Sequence, residues 1–422
     1  MDSMYYGDTL IVDLEGGRTG QVSFDEVDEA GPGLPAGLAL YEKYKEFDPL
    51  IFGSGLFTGT PVPGACLGFV LGKSPLTGEP AVAPLNLFAG AEMKLSGFSM
   101  VVVKGASAKP VYLWLHDGVP DIEDASALAG KDTWDTTDGI RREMGEGLIQ
   151  VICIGPAGEA GSDSAAFSIN YWGSGDTAAL GAVMGRKNLK AVALRGLGML
   201  DADEPEEFYD GALELLASAK MDTGFKYMCS ALGAPDLDAW LSPIAHRRRA
   251  CFACPATCAT FVKYNEAPSV MESTDVEEPG MLITNAAAAL WLMQGGWDVE
   301  AACRAMEAMA REGLDMVRGA RELSETPLTD AGKITAAVKA LEGSKAAHWT
   351  VAEPAAPGLF GLWVPPLGGF ESWLEANRIG YSLGICPTFL LLCGTDSSRL
   401  LELCVPAAGL EAGQDEIAGM YG

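Results

Sequence analysis

The chain has 422 residues, 48% of them hydrophobic, which is ample for a large core and favours two or three domains. Its 57 acidic against 29 basic side chains give a formal charge of −28, a field that repels nucleic acid and anionic lipid and argues against both as partners. The same charge suits a soluble cytoplasmic protein, or one docking on basic patches of another subunit.

In chain order, residues 1–200 read as a β-rich domain. Apolar or alternating runs at 9–14, 49–52, 100–103, 111–115 and 189–194 predict strands. Turn signals such as Glu15-Gly16-Gly17 and His116-Asp117-Gly118 bound them, and one helix is expected at about 131–144. Residues 201–422 turn helical: 205–220 and 299–323 place Leu, Met and Ala at helical spacing among acidic residues. The predicted fold class is α+β, a β-rich N-terminal domain followed by a mostly α-helical C-terminal region that carries the cysteine motif. No internal repeat is visible. The most apolar stretch, 281–293, is too short to span a bilayer, and the start Met1-Asp2-Ser3-Met4-Tyr5 lacks the basic and apolar regions of a Sec signal.

Ten cysteines are present, and they are not spaced as a disulfide framework. Cys66, Cys153, Cys229, Cys303 and Cys404 sit singly in apolar runs and read as small buried hydrophobes. That usage predicts a reducing, cytoplasmic compartment. The segment Cys251-Phe252-Ala253-Cys254-Pro255-Ala256-Thr257-Cys258 is different, because its C-x2-C-x3-C spacing places three thiolates at the corners of a [4Fe–4S] cubane. Zinc more often pairs two C-x2-C units, although His246 five residues earlier leaves a Cys3His site open. Inert thiols are the third possibility. The tripeptide Arg247-Arg248-Arg249 either offsets cluster charge or forms a solvated face. For a fourth ligand, Cys386 in the turn-like Gly384-Ile385-Cys386-Pro387 is favoured over Cys393, which lies in the core-like run Leu390-Leu391-Leu392-Cys393.

These motifs resemble the aldehyde ferredoxin oxidoreductase family, and the resemblance extends beyond the cysteines. Ile51-Phe52-Gly53-Ser54-Gly55-Leu56-Phe57-Thr58-Gly59-Thr60 is similar to the family's "IFATGPLTGT", and Lys73-Ser74-Pro75-Leu76-Thr77-Gly78 to its "KSPLTG". Ile154-Gly155-Pro156-Ala157-Gly158-Glu159 matches "IGPAGE", and Leu180-Gly181-Ala182-Val183-Met184-Gly185 with Lys187-Asn188-Leu189-Lys190 matches "LGAVMGSKNLK". Gly313-Leu314-Asp315 and Gly384-Ile385-Cys386 look like the ends of two D-x-x-G-L-[D/C] motifs. The match is dense over 1–200, clear at 250–260 and thin after 320. The resemblance implies a β-rich first domain, helical domains beyond it, and tungsten or molybdenum held by two pterins. A cubane beside the metal relays electrons to ferredoxin or a ferredoxin-like subunit in an anaerobic setting. It also implies cofactor contacts at Lys73, Asn86, Gly181 and Asp315.

The departures from the family pattern share a theme. Pro32 and Leu67 stand where arginines are expected, and the "GRGGLG" turn reads Asp176-Thr177-Ala178-Ala179-Leu180-Gly181. The leading aspartates of the two later motifs are replaced by Ala310 and Tyr381. In the family those places hold pterin phosphates and rings, and an acid such as Asp176 repels a phosphate. The chain is short for the family and looks contracted between about 325 and 370, where the family's proton-transferring histidine falls. His348 is the nearby histidine, and Glu272, Glu277 and Glu278 are the carboxylates after the cluster motif; these four are weak candidates for acid–base work. Two readings follow. One is a divergent tungsten or molybdenum enzyme converting aldehydes and carboxylates; the other is a pterin-less subunit acting as a [4Fe–4S] relay or scaffold. The partners in either case are ferredoxin or a like subunit, a second copy, or a full-length paralogue.

Overall fold

The computed structural model describes residues 9–22, 30–219, 225–264, 280–343, 359–361, 369–393, 395 and 397–410. The first sheet contains β1 (Thr9–Asp13), β2 (Arg18–Val22), β3 (Leu50–Ser54), β4 (Gly68–Lys73), β5 (Pro80–Leu85) and β6 (Met100–Lys104), in the order β2-β1-β6-β3-β4-β5. A second holds β7 (Val111–His116), β8 (Val119–Asp124), β9 (Gln150–Ile154), β10 (Phe167–Ile169), β11 (Trp172–Gly173) and β12 (Leu189–Arg195), in the order β11-β10-β9-β12-β7-β8. Central strands such as β3 and β9 are buried along their whole length, so they read as continuous apolar runs rather than alternations.

Renumbering the second sheet by six and reversing it reproduces the first. The parallel pair falls in the same place in both, β1 with β6 and β7 with β12. Helices follow suit: Leu34–Tyr44 and Thr133–Met144 precede β3 and β9, and Ala89–Leu95 and Leu180–Arg186 precede β6 and β12. The latter two touch strands of both sheets, and each carries a glycine at its second residue. A Cβ on Gly90 would stand 2.4 Å from Gly68 N, and one on Gly181 2.5 Å from Ala166 C, so both helices approach backbone too closely for a side chain. A repeat of topology is therefore present where no repeat of sequence is visible. Pairing needs only apolar runs of strand length, and many sequences satisfy that.

Beyond Arg195 the chain is mostly helical, with a small sheet of β13 (Ala245–Arg249), β14 (Ala259–Val262) and β15 (Met281–Ile283). The expected helix at 299–323 is two helices, Val299–Glu312 and Met316–Ser324. Gly313 at φ 71° ends the first, and the Asp315 carboxylate starts the second by accepting from Val317 N (2.9 Å) and Arg318 N (3.1 Å). The apolar stretch at 281–293 divides between β15 and the helix Ala286–Gln294. Among the described residues no helix is long and apolar enough to cross a membrane.

Late segments are stitched onto the first sheet through backbone bonds. Leu56 N and Phe57 N donate to Ser382 O (3.1 Å) and Leu383 O (2.7 Å), and Leu67 N donates to Gly384 O (2.9 Å). Phe252 N donates to Leu87 O at 2.9 Å. These contacts bring three distant stretches of chain to one place.

Candidate metal centre

Three of the thiols come from the loop 251–258 that joins the antiparallel strands β13 and β14. The loop is tightened by Cys254 N donating to Cys251 O (3.2 Å) and Cys258 N donating to Ala256 O (3.0 Å). Ala253 adopts the left-handed conformation at φ 48°, which turns the loop outward to meet Gly64. Cys386 comes from a later segment, between the helices Phe370–Leu383 and Pro387–Cys393. Gly384 (φ 81°) ends the first of these, and a Cβ there would stand 2.0 Å from Thr58 Oγ1. Gly64 joins the two segments: its N–H donates to Ala253 O (3.0 Å) and its carbonyl accepts from Cys386 N (2.9 Å).

The four thiols lie near one another. Cys254 and Cys258 each lie within electrostatic reach of Cys251 and Cys386, and burial first, then those neighbours, pushes both thiols well up. Cys386 moves the opposite way, down to about 7, because the neighbouring Cys66 thiol and the backbone N–H groups of Phe389 and Thr388 favour its thiolate, against the pull of burial. Thiols crowded together in a partly buried loop resist ionising one by one. A cationic group that takes them as thiolates removes that penalty, and its binding expels protons. The donor set therefore fits an iron–sulfur cubane in number and chemistry. Among the described residues, no three His, Cys, Asp or Glu side chains gather into a single-ion site. Cubane corners hold their thiolates farther apart than one zinc does.

Cys66 is fully buried, as expected of a small hydrophobe, and it lies in the apolar core that holds Cys386 and against which Cys251 packs, a neighbourhood that the sequence reading did not foresee. The available signal was its place beside Leu67, one of the positions where an arginine is missing. Cys393 is buried at the end of the helix Pro387–Cys393, within electrostatic reach of Cys258. His246 is exposed on β13 with its ring edge-on to Phe261 at 6.4 Å. Arg247 lies over the same ring at 4.8 Å, and Arg248 pairs with Asp238 at 3.0 Å.

At the positions where the resemblance implies a pterin, other groups have moved in. Asp176 is 1% exposed and accepts from Ala178 N (3.0 Å), Leu180 N (3.2 Å) and Gly181 N (2.9 Å). An internal carboxylate thus occupies the backbone N–H groups at the start of the helix Leu180–Arg186, and a phosphate does not fit there. Burial lifts its pKa to about 6, with the three N–H groups pulling it down and Asp315 pushing it further up. Tyr381 stacks on Phe360 (centroids 5.6 Å apart) and meets Phe69 edge-on. Leu67 is core, and Ala310 is buried with its carbonyl accepting from the hydroxyls of Thr133 (2.8 Å) and Ser168 (3.2 Å). Of the implied contacts, Lys73 is exposed at the end of β4, and Gly181 is committed to Asp176. Asn86 Oδ1 and Asp315 Oδ2 are buried without a hydrogen-bond partner. Glu272, Glu277, Glu278 and His348 lie outside the described residues.

Residues 10–196 match the family model "Aldehyde ferredoxin oxidoreductase, N-terminal domain". A tungsten-containing aldehyde ferredoxin oxidoreductase of Pyrococcus abyssi is 30% identical over 315 residues, covering 65% of this chain and 51% of that protein. The tungsten-containing aldehyde ferredoxin oxidoreductase of Pyrococcus furiosus is 37% identical over 203 residues, 45% of this chain and 34% of that protein. A WOR-like subunit of an aliphatic sulfonate oxidoreductase, also from Pyrococcus furiosus, is 29% identical over 177 residues, 38% of this chain and 28% of that one. The chain spans about half the length of the first of these relatives. In fold it is similar to a chain of the active-site complex BamBC of benzoyl coenzyme A reductase, with a TM-score of 0.75 at 18% identity, covering 100% of this chain and 87% of that one.

Proposed function

We propose that this chain, which belongs to the aldehyde ferredoxin oxidoreductase family through residues 10–196, is an iron–sulfur electron-transfer subunit that holds no metallopterin of its own. The observation that carries the reading is a contrast between two places in the structure. Four thiols from two distant segments lie near one another, while the Asp176 carboxylate fills the backbone N–H groups that a pterin phosphate needs. Cys251, Cys254, Cys258 and Cys386 would hold a [4Fe–4S] cluster, which supplies one-electron transfer. The chain's own residues bury it: Leu67, Phe389 and Cys386 belong to one apolar core, against which Cys251, Phe252 and Cys254 pack. That shell limits the access of water to the thiolates and would tune the potential. The partner is a ferredoxin or a catalytic subunit of the same family, in an anaerobic cytoplasm. A relative described as a WOR-like subunit supports a place in a multi-subunit oxidoreductase.

A second reading, a tungsten or molybdenum enzyme acting on aldehydes or carboxylates, is favoured by one observation. Asn86 Oδ1 and Asp315 Oδ2 are buried acceptors without partners, which would suit the ring N–H donors of a pterin. Anaerobic purification or reconstitution with iron and sulfide tests the shared premise. The chain should take up about four irons and show a visible absorbance that dithionite bleaches. A colourless protein after reconstitution would sink both readings.

A further inference from the structure

Cys66 lies on the loop between β3 and β4, which touches both cysteine-bearing segments at once. Gly64, two residues earlier, bonds to Ala253 in the cysteine loop and to the N–H of Cys386. Leu67, the next residue, donates to Gly384 O. Cys66 N is itself tied back to Gly64 O at 2.8 Å. Held from both sides, Cys66 is wholly buried, in the same apolar core as Cys386 and with Cys251 and Cys254 packed against that core. Cys66 is thus a further thiol beside the four cluster candidates, and a cubane has four corners.

We infer that Cys66 is a positioning and tuning residue of the cluster site, donating its S–H to the sulfur of Cys386 beside Cys251 instead of binding iron. The inference rests on the cluster reading proposed above. Cys251 and the two other loop cysteines come from one C-x2-C-x3-C run, and Cys386 reaches the fourth corner from a separate helix start, leaving Cys66 as the thiol without a corner. An S–H is a weak donor, and thiolate sulfur bound to iron is the negatively charged acceptor beside it. Hydrogen bonds to ligand sulfur withdraw electron density and stabilise the reduced, more negative cluster, so the donor raises the midpoint potential.

The test compares the anaerobic full chain with its Cys66→Ala and Cys66→Ser variants for iron content and midpoint potential in a mediated redox titration. All three should hold about four irons. Cys66→Ala should shift the midpoint downward, and Cys66→Ser, which keeps an O–H donor, should recover most of that shift. Loss of about a quarter or more of the iron in Cys66→Ala would make Cys66 a ligand and overturn the inference. An unmoved potential with full iron would make it an inert buried thiol and overturn the inference too, leaving the cluster reading intact. A wild-type chain that takes up no iron would overturn both.

Discussion

Single side chains decide most of what this site can do. Cys386 sits among the loop thiols with two backbone N–H groups aimed at its sulfur, whereas Cys393 lies seven residues on at the far end of a helix. Replacing Cys386 by serine should bleach the cluster's visible absorbance and lower bound iron, while Cys393→Ser should leave both near wild type. The reverse pattern would reassign the fourth ligand. Asp176 gives a second handle. An acid whose folded pKa is raised binds more protons folded than unfolded, so its contribution to stability falls as pH rises through the window between 3.8 and about 6. Asp176→Asn cannot titrate. The stability advantage of wild type over that variant should therefore shrink between about pH 4 and pH 7, by up to about 3 kcal/mol, in chemical denaturation at each pH. A constant difference would mean that the carboxylate is not buried as described. At this scale the motif cysteines were legible because ligand spacing is local. Cys66 was not, because its role depends on a contact across 185 residues, between it and Cys251, that no local pattern encodes.

Short elements carry the geometry that joins these residues. Gly64 is at φ 80°, and a Cβ there would stand 2.8 Å from Phe389 Cδ1. Gly64→Ala should cost about 2 kcal/mol in denaturant stability, and it should also lower iron retention because both its backbone bonds anchor cysteine segments. A stability loss with iron retention unchanged would mean that the loop is not the link between the two segments. Periodicity located the strands β1, β3, β6, β7 and β12 well, since each carries an apolar run of strand length. It merged the helices Val299–Glu312 and Met316–Ser324, because Leu314 and Met316 continue the apolar face across a break made by Gly313 and Asp315. The signals for that break were present in Gly313 and Asp315, a stop residue followed by a cap.

Across the whole molecule, the two sheets repeat one topology, and two positions where the resemblance implies a cofactor fall at comparable places before the helices between them. Asp176 precedes the helix Leu180–Arg186, and Asn86 precedes Ala89–Leu95. Tyr381, Phe360 and Trp373 add an aromatic cluster over the first sheet through Phe69, where the resemblance implies an aspartate instead. The fold class was readable from composition and runs, but the repeat was not, since sheet order is set by long-range pairing. With a charge of −28, recognition of a redox partner should weaken as salt rises, most steeply for a partner presenting a basic face. The central claim is that the cubane stands without a pterin. Metal and pterin analysis of anaerobically purified chain tests it directly: about four irons with no tungsten, molybdenum or pterin is expected, and one tungsten or molybdenum with pterin per chain would contradict it.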